Sequence, residues 1–157
     1  MKTNNKENYA VALLLAVFGS ILFSFTKPMG GDSFEIYLNN KLVVQQVVVK
    51  MKEVKTISLD QSNYNGEIGI VYSHCGLSGK DRKIIIRDAQ SKVLKQWSFA
   101  NVSGAGNNTM NCKTRDIIDL QRNNNDSSLS LYYSSNELPA GKLLAQINVL
   151  KNSQVKP

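Results

Sequence analysis

The sequence predicts an all-β domain, an antiparallel β-sandwich that carries one short helix. Short segments of alternating or β-branched residues are separated by turn residues at intervals of roughly ten residues, which is the pattern of sandwich and barrel strands. Apolar residues with helical spacing occur at 114–122. The hydrophobic share of 42% and the charged share of 20% are those of a globular protein, so the composition argues against general disorder.

The N-terminal residues, 1–26, predict a signal for export. Lys2 and Lys6 precede an uncharged apolar run at 10–25, and a basic segment followed by an apolar segment is the order found in signal peptides. The run is shorter than the ~20 residues of a comfortable transmembrane helix. We therefore expect a cleaved signal peptide, with an uncleaved membrane anchor as the alternative. Either one places the remaining chain outside the cytoplasm, in the periplasm or secreted.

The remaining chain is predicted to form a single domain. Pro28 and two glycines mark a short linker at 27–31. Residues 32–150 are enough for one hydrophobic core, and a polar tail follows at 151–157. We find no internal repeat in this region.

The first half of the domain is predicted to consist of strands and loops. Residues 33–38 alternate as a half-buried strand does, and Asn39 and Asn40 then favour a tight turn because Asn tolerates positive φ. The next run, 42–49, is β-branched at both parities, which predicts a central strand covered on both faces. Two further strands are expected in this half, at 54–59 and 67–73.

A hairpin is predicted after the second of these strands. Its two strands are expected at 83–88 and 93–99, joined by a short turn. Val93, Trp97 and Phe99 lie at one parity of the second strand. Since side chains of one parity share a face, we expect these three in the core.

The helix is predicted at 114–122. Thr114 can cap its first turn, and Ile117, Ile118 and Leu120 form a short apolar stripe. The elements expected after the helix are a strand at 129–133, a turn at 138–141 and a last strand at 143–149.

The final turn and strand, LPAGKLLAQINV, are similar to the last strand of many bacterial immunoglobulin-like domains. That resemblance implies that the sandwich is immunoglobulin-like. It is confined to this short stretch.

Cys75 and Cys112 are the two cysteines of the chain. An even number of cysteines in an exported protein predicts that they form a disulfide. Closing a loop of about 37 residues would stabilise the fold by roughly 4 kcal/mol through the entropy of the unfolded chain. The alternatives are two buried thiols, or a redox or nucleophilic cysteine.

His74 is the single histidine, which argues against a multi-histidine metal site. The loop that follows it contains Lys80, Asp81 and Arg82. We expect Asp81 to pair with Lys80 or Arg82. His74, Lys80 and Arg82 are then candidates for a small anion-binding rim. The loop is not a phosphate loop, because Asp81 stands where a Ser or Thr would bind magnesium.

The formal net charge is +7, and 15 of the 19 basic residues are lysines. A lysine-rich excess suits a solvated surface better than bidentate phosphate recognition, so we expect no nucleic-acid partner. The sequence contains no motif of paired catalytic carboxylates, no nucleophile elbow and no cofactor fingerprint. We therefore expect no cofactor.

The sequence therefore favours a non-enzymatic, extracytoplasmic domain that binds a protein or a surface polymer or has a structural role in the envelope. A thiol or anion-binding enzyme centred on His74, Cys75, Asp81 and Arg82 is one alternative. The other is a membrane-anchored subunit of an envelope assembly, in contact with the membrane only through its N-terminal segment.

Overall fold

The computed structural model describes residues 31–75, 79–101, 108–124 and 128–150. The predicted signal at 1–26 and the predicted tail at 151–157 lie outside the described residues, as does most of the predicted linker. The helices in the described ranges all fall short of the length and hydrophobicity needed to cross a bilayer.

The described residues form nine strands and one α-helix. Two short 3₁₀ turns, Val48–Lys50 and Gln61–Asn63, follow the second and third strands. The elements in chain order are β1 Ser33–Leu38, β2 Lys41–Val47, β3 Lys55–Leu59, β4 Glu67–Ser73, β5 Arg82–Arg87, β6 Val93–Phe99, β7 Met110–Lys113, α1 Thr114–Asn124, β8 Leu129–Ser135 and β9 Leu138–Val149.

The strands are arranged in two sheets. One sheet has the order β2-β1-β4-β7 and the other has the order β3-β9-β8-β5-β6. Neighbouring strands are antiparallel except for β3 and β9, which are parallel. The predicted all-β sandwich with one helix is confirmed, with the correction that one strand pair is parallel.

The two sheets share one hydrophobic core, and period-two alternation builds it. In β4, Ile68, Ile70 and Tyr72 are buried, and in β8 the residues Leu129 and Leu131 are buried between more exposed neighbours. These side chains belong to one apolar cluster with those of β1, β5, β9 and α1. The helix confirms the predicted stripe, because Ile117 and Ile118 are fully buried.

The strand order is compatible with an immunoglobulin scheme. In that scheme strands B and E are neighbours in one sheet, and C, F and G are neighbours in the other. Here β4 lies beside β7, and β5, β8 and β9 lie side by side. The strand β2 has no counterpart in the scheme, so the immunoglobulin-like assignment stays a prediction.

The strand predicted to be central, 42–49, is instead the edge strand β2. Three of its side chains, Leu42, Val43 and Val47, are exposed, and Val44 alone among its residues is buried. A β-branched run indicates a preference for extended structure, but it does not determine how many neighbours the strand has.

Two further predictions need correction. The predicted turn at 138–141 belongs to β9, and the chain turns at Asn136 and Glu137 instead. The strand continues through Gly141, which has a φ of 74°, in the left-handed region where glycine is favoured. Trp97 and Phe99 pack partly buried against the core, whereas Val93 is exposed, because the pairing of β6 with β5 shifts register beside it and Leu94 packs against the core instead.

Candidate functional site

A polar network lies between the two sheets at the end of β4. It consists of Asp32, Tyr72, His74, Tyr133 and Ser135, and we call it the His74 network. His74 and Ser135 are buried polar side chains. Such groups cost stability unless they are hydrogen-bonded, so their partners determine what they do.

Strand register brings the members of the network together. Ser33 of β1 pairs with Ser73 of β4, and this places Asp32 and His74 side by side just beyond the pair. Alternation along β8 turns Tyr133 and Ser135 to the core face, opposite to them. Residues from three separate strands thus converge on one imidazole ring.

The geometry around His74 has an acid on one side and two hydroxyls on the other. Its Nδ1 lies 3.4 Å from Oδ2 of Asp32, and its Nε2 lies 3.0 Å from the hydroxyl of Tyr133 and 3.2 Å from that of Ser135. A proton on Nδ1, facing the carboxylate, is the tautomer that these partners favour. Nε2 then accepts from a hydroxyl.

Asp32 also accepts hydrogen bonds from Tyr72 of the network and from the backbone beside His74. The hydroxyl of Tyr72 donates to Oδ2 of Asp32 at 2.9 Å, and the backbone N–H of Cys75 donates to Oδ1 at 3.3 Å. A carboxylate with these donors is well satisfied in a half-buried position. Asp32 therefore joins the start of β1 to the end of β4.

Aromatic rings complete the packing of the network. The rings of Tyr72 and Tyr133 are stacked with centroids 4.1 Å apart, across the two sheets. Phe34 stacks on the other side at 6.4 Å from Tyr72. Burial is the main cause that raises the pKa of both Tyr72 and Tyr133, so both phenols are neutral and act as hydrogen-bond donors at neutral pH.

The contacts from Asp32 to His74 and from His74 to Ser135 have the arrangement of a hydrolase triad. In such a triad an acid orients a histidine that activates a serine. Access to the serine differs from that of a catalytic site. Ser135 is 4% exposed and His74 is 8% exposed, and Tyr133 competes with Ser135 for the same nitrogen. The arrangement suits a structural cross-link between sheets better than attack on a substrate.

The glycine at 79 lies close to the network. A Cβ atom at Gly79 would lie 2.9 Å from the hydroxyl of Tyr133 and 2.9 Å from Cδ of Arg82. A larger residue at this position would have to displace one of these side-chain atoms. The backbone at Gly79 therefore covers the tyrosine hydroxyl, which lowers access to the network further.

The predicted rim residues do not share one surface. Arg82 is buried, and its guanidinium donates to the carbonyl oxygens of Ala100 at 3.0 Å and Asn108 at 2.9 Å. Lys80 is exposed. Burial lowers the pKa of Arg82 from its ordinary value. The anion-binding role of His74, Lys80 and Arg82 stays a prediction.

The loop that carries Lys80 is fixed to the turn between β8 and β9. The backbone N–H of Lys80 donates to the carboxylate of Glu137 at 3.1 Å, and this bond lowers the pKa of Glu137. The predicted pairing of Asp81 is wrong, because Asp81 pairs with Lys83 at 2.7 Å. Asp81 lies just before β5 with a φ of 50°, and Lys83 is the second residue of that strand.

The predicted disulfide between Cys75 and Cys112 is not formed. Cys112 pairs across the sheet with Ile68 of β4, and Cys75 lies seven residues after Ile68, two residues beyond the end of that strand. At about 3.3 Å per residue, the extended part of β4 from Ile68 to Ser73 alone spans roughly 16 Å, and a disulfide requires Cα atoms less than about 7 Å apart. Cys75 is exposed, and burial raises the pKa of Cys112 to about 12.

A second notable surface is the outer edge of β2, which we call the β2 edge. Its exposed apolar side chains are Leu42, Val43, Val47 and Val49, and Val49 is 75% exposed. Sheet edges in natural proteins are usually protected by charges, prolines or coverage. The run from 42 to 49 contains neither a charge nor a proline.

A polar cavity of about 180 Å³ lies at the opposite end of β4 from the His74 network. Tyr64, Asn65, Gly66, Glu67, Lys113 and Arg115 line it. In the described part of the chain, no three His, Cys, Asp or Glu side chains converge as metal ligands would.

Sequence reasoning found His74 and missed its partners. Asp32, Tyr133 and Ser135 lie far from it along the chain, and no local motif joins them. One signal was present: alternation from Leu129 carries Ser135 to the core face, where a serine requires a partner.

Comparison with known proteins gives little further identification. No family model and no curated protein matches the chain. One matching solved structure is described as the extracellular domain of a one component system from B. thetaiotaomicron. It has 15% sequence identity and a TM-score of 0.37, over 82% of this chain and 16% of that chain. The chain thus spans about a sixth of the length of that protein's chain. The similarity is too distant to assign a fold family or a function.

Proposed function

We propose that the chain is an exported, non-enzymatic β-sandwich domain that binds another protein. The observation that carries the proposal is the β2 edge, where exposed apolar side chains lie on a strand that pairs with β1 on one side and, among the described residues, with no strand on the other. Exposed apolar groups that cluster at one place are typical of interaction sites. The location outside the cytoplasm rests on the export signal predicted at 1–26.

The Asp32, His74 and Ser135 geometry favours a second candidate, a serine hydrolase. A nucleophile must reach its substrate, and it is activated only while its base is available. Ser135 is buried and shares Nε2 of His74 with Tyr133. These two facts support the binding domain over the hydrolase.

The binding role is tested by photo-cross-linking in the producing cells. A cross-linking amino acid replaces Val49 on the β2 edge in the full chain, and the matched control carries it in place of Lys92, which is exposed on the turn between β5 and β6. We expect a specific product from position 49 alone. The captured protein, once purified, should form a saturable complex with the uncross-linked chain.

Two results would overturn the proposal. One is the absence of a saturable complex with any protein captured from position 49. The other is ester hydrolysis or fluorophosphonate labelling that disappears in Ser135→Ala, which would establish the hydrolase. Sequencing the N-terminus of the exported protein separately distinguishes a cleaved signal peptide from a membrane anchor.

A further inference from the structure

We infer that the β2 edge binds an extended peptide segment of the partner, with apolar side chains in its middle and acidic residues at both ends. The inference rests on the proposed function and specifies its partner. The mode is strand addition, in which backbone hydrogen bonds provide affinity and side chains provide specificity.

The first step concerns the direction of the backbone groups. The N–H of Val48 donates inward to the carbonyl of Asp32 at 2.7 Å. In an antiparallel ladder, residues alternate between bonding to the neighbouring strand and pointing away from it. Val47 and Gln45, which face Ser33 and Glu35 in the register, therefore direct their N–H and C=O groups away from β1.

The second step concerns what covers these groups. Among the described residues, the backbone hydrogen bonds outside regular strands and helices include none to Gln45 or Val47. A side-chain hydrogen bond joins β2 to the segment that follows it, from Nε2 of Gln46 to the carbonyl of Glu53 at 3.3 Å. Within the described part of the chain, the outer backbone of β2 is thus open to a further strand.

The third step concerns charge. Lys41 and Lys50 are exposed at the two ends of the uncharged run, and Lys52 follows closely. Two copies related by a two-fold axis would pair their β2 strands antiparallel, with Lys41 of one copy near Lys50 of the other. Like charges opposite each other are destabilising. A strand with acidic ends instead complements both lysines, so a partner peptide is favoured over a second copy.

The experiment uses the full chain and labelled synthetic peptides. The probe has Thr-Val repeats flanked by glutamates at both ends, and its matched twin has lysines in place of the glutamates. Fluorescence anisotropy should show saturable binding of the acidic peptide and at least about tenfold weaker binding of the basic twin, a difference that shrinks as salt screens the charges.

Two controls test the strand mode itself. Gln45→Pro removes an outward N–H, and proline is tolerated on an edge where the N–H faces solvent. Binding should be lost in Gln45→Pro and retained in Gln45→Thr. A peptide N-methylated along its backbone should also fail to bind, and this control requires no change in the protein.

Equal binding of both peptides, or binding to the N-methylated peptide, would overturn the inference. So would self-association through β2 that excludes the peptide at the low salt in which the lysines repel each other. If the partner captured at position 49 binds Gln45→Pro as tightly as it binds the unchanged chain, the edge mode is wrong and the binding function stands. If no partner forms a complex, the proposed function is wrong as well.

Discussion

His74 links the start of β1 and the end of β4, which lie in one sheet, to β8, which lies in the other sheet. Its ring contacts the carboxylate of Asp32 on one sheet and the hydroxyls of Tyr133 and Ser135 on the other. Removing one member of a buried network leaves the others without partners, which costs more than the lost hydrogen bond alone. The network therefore stabilises the alignment of the sheets at this end of the sandwich.

We expect His74→Ala to lower the free energy of unfolding by about 2 kcal/mol or more, because two hydroxyls and a carboxylate lose a buried partner. Urea denaturation measures the change. Lys80→Ala, at an exposed neighbouring position, is the matched control and should change the free energy by less than about 0.5 kcal/mol. Equal stability of the two variants would show that the network contributes nothing.

The two cysteines should differ in reactivity. The pKa of Cys112 is raised to about 12 by burial, so its thiolate is scarce near neutral pH, whereas Cys75 is exposed. Titration with a thiol reagent should modify Cys75 in the native protein and both cysteines after unfolding in urea. Cys75→Ala should leave no reactive thiol in the native state. An unfolded, unreduced protein without thiols would contradict the structure.

Stability should fall at high pH. Burial and the hydrogen bond to Asp32 raise the pKa of Tyr72 above its ordinary 10.0. A raised pKa means that the folded state holds the proton more tightly, so this contribution is complete below the ordinary pKa and is lost as the pH rises above it. Urea denaturation below and above pH 10.0 measures the fall in the free energy of unfolding. The fall should be smaller in Tyr72→Phe than in the unchanged protein, because phenylalanine has no proton to lose. An equal loss in both proteins would contradict the assignment.

The partners of His74 could not be predicted from the sequence, because its contacts join residues brought together by register. Tyr133 is 59 positions away and Ser135 is 61 positions away. A single strand predicts which side chains share a face, but it does not show which strand lies opposite. The disulfide prediction failed for the same reason, since pairing by count took no account of distance.

Strand positions were predictable and strand neighbours were not. The predicted bounds of β1, β4 and β6 agree with the structure because alternation and turn residues are local signals. The edge position of β2 depends on the order of strands in the sheet, and β7 has no counterpart among the predicted strands because it is only four residues long. Both errors concern tertiary context.

The start of α1 is fixed differently from the predicted cap. The hydroxyl of Thr114 donates to the carbonyl of Gly66 at 2.9 Å and also contacts the carbonyl of Asn63. It thus joins the helix to the segment before β4, and Thr114 is fully buried.

Replacing Thr114 with valine keeps the shape and removes the donor to these carbonyls. We expect a loss of about 1–2 kcal/mol in the free energy of unfolding. Thr56→Val, on the exposed side of β3, is the matched control and should have a small effect. Thermal denaturation followed by circular dichroism measures both. A Thr114→Val protein as stable as the control would show that the carbonyls find other donors.

The charge of the whole molecule should control its tendency to self-associate. The chain carries a net charge of +7, and Lys41 and Lys50 lie at the ends of the exposed β2 edge. Salt shortens the range of repulsion to about 3 Å at 1 M. Sedimentation velocity should therefore show more association in high salt than in low salt, and Gln45→Pro should suppress it. Association that is independent of salt or of this substitution would exclude the edge as its cause.

The parallel pairing of β3 with β9 determines when the five-stranded sheet can finish folding during synthesis. Lys55 pairs with Ala145, so an early strand is held by the last strand of the domain. Contacts between distant parts of a chain form slowly, because the intervening loop must close first. The five-stranded sheet thus stays open until β9 has been synthesised. For a chain that is predicted to be exported, this delay favours passage across the membrane before folding.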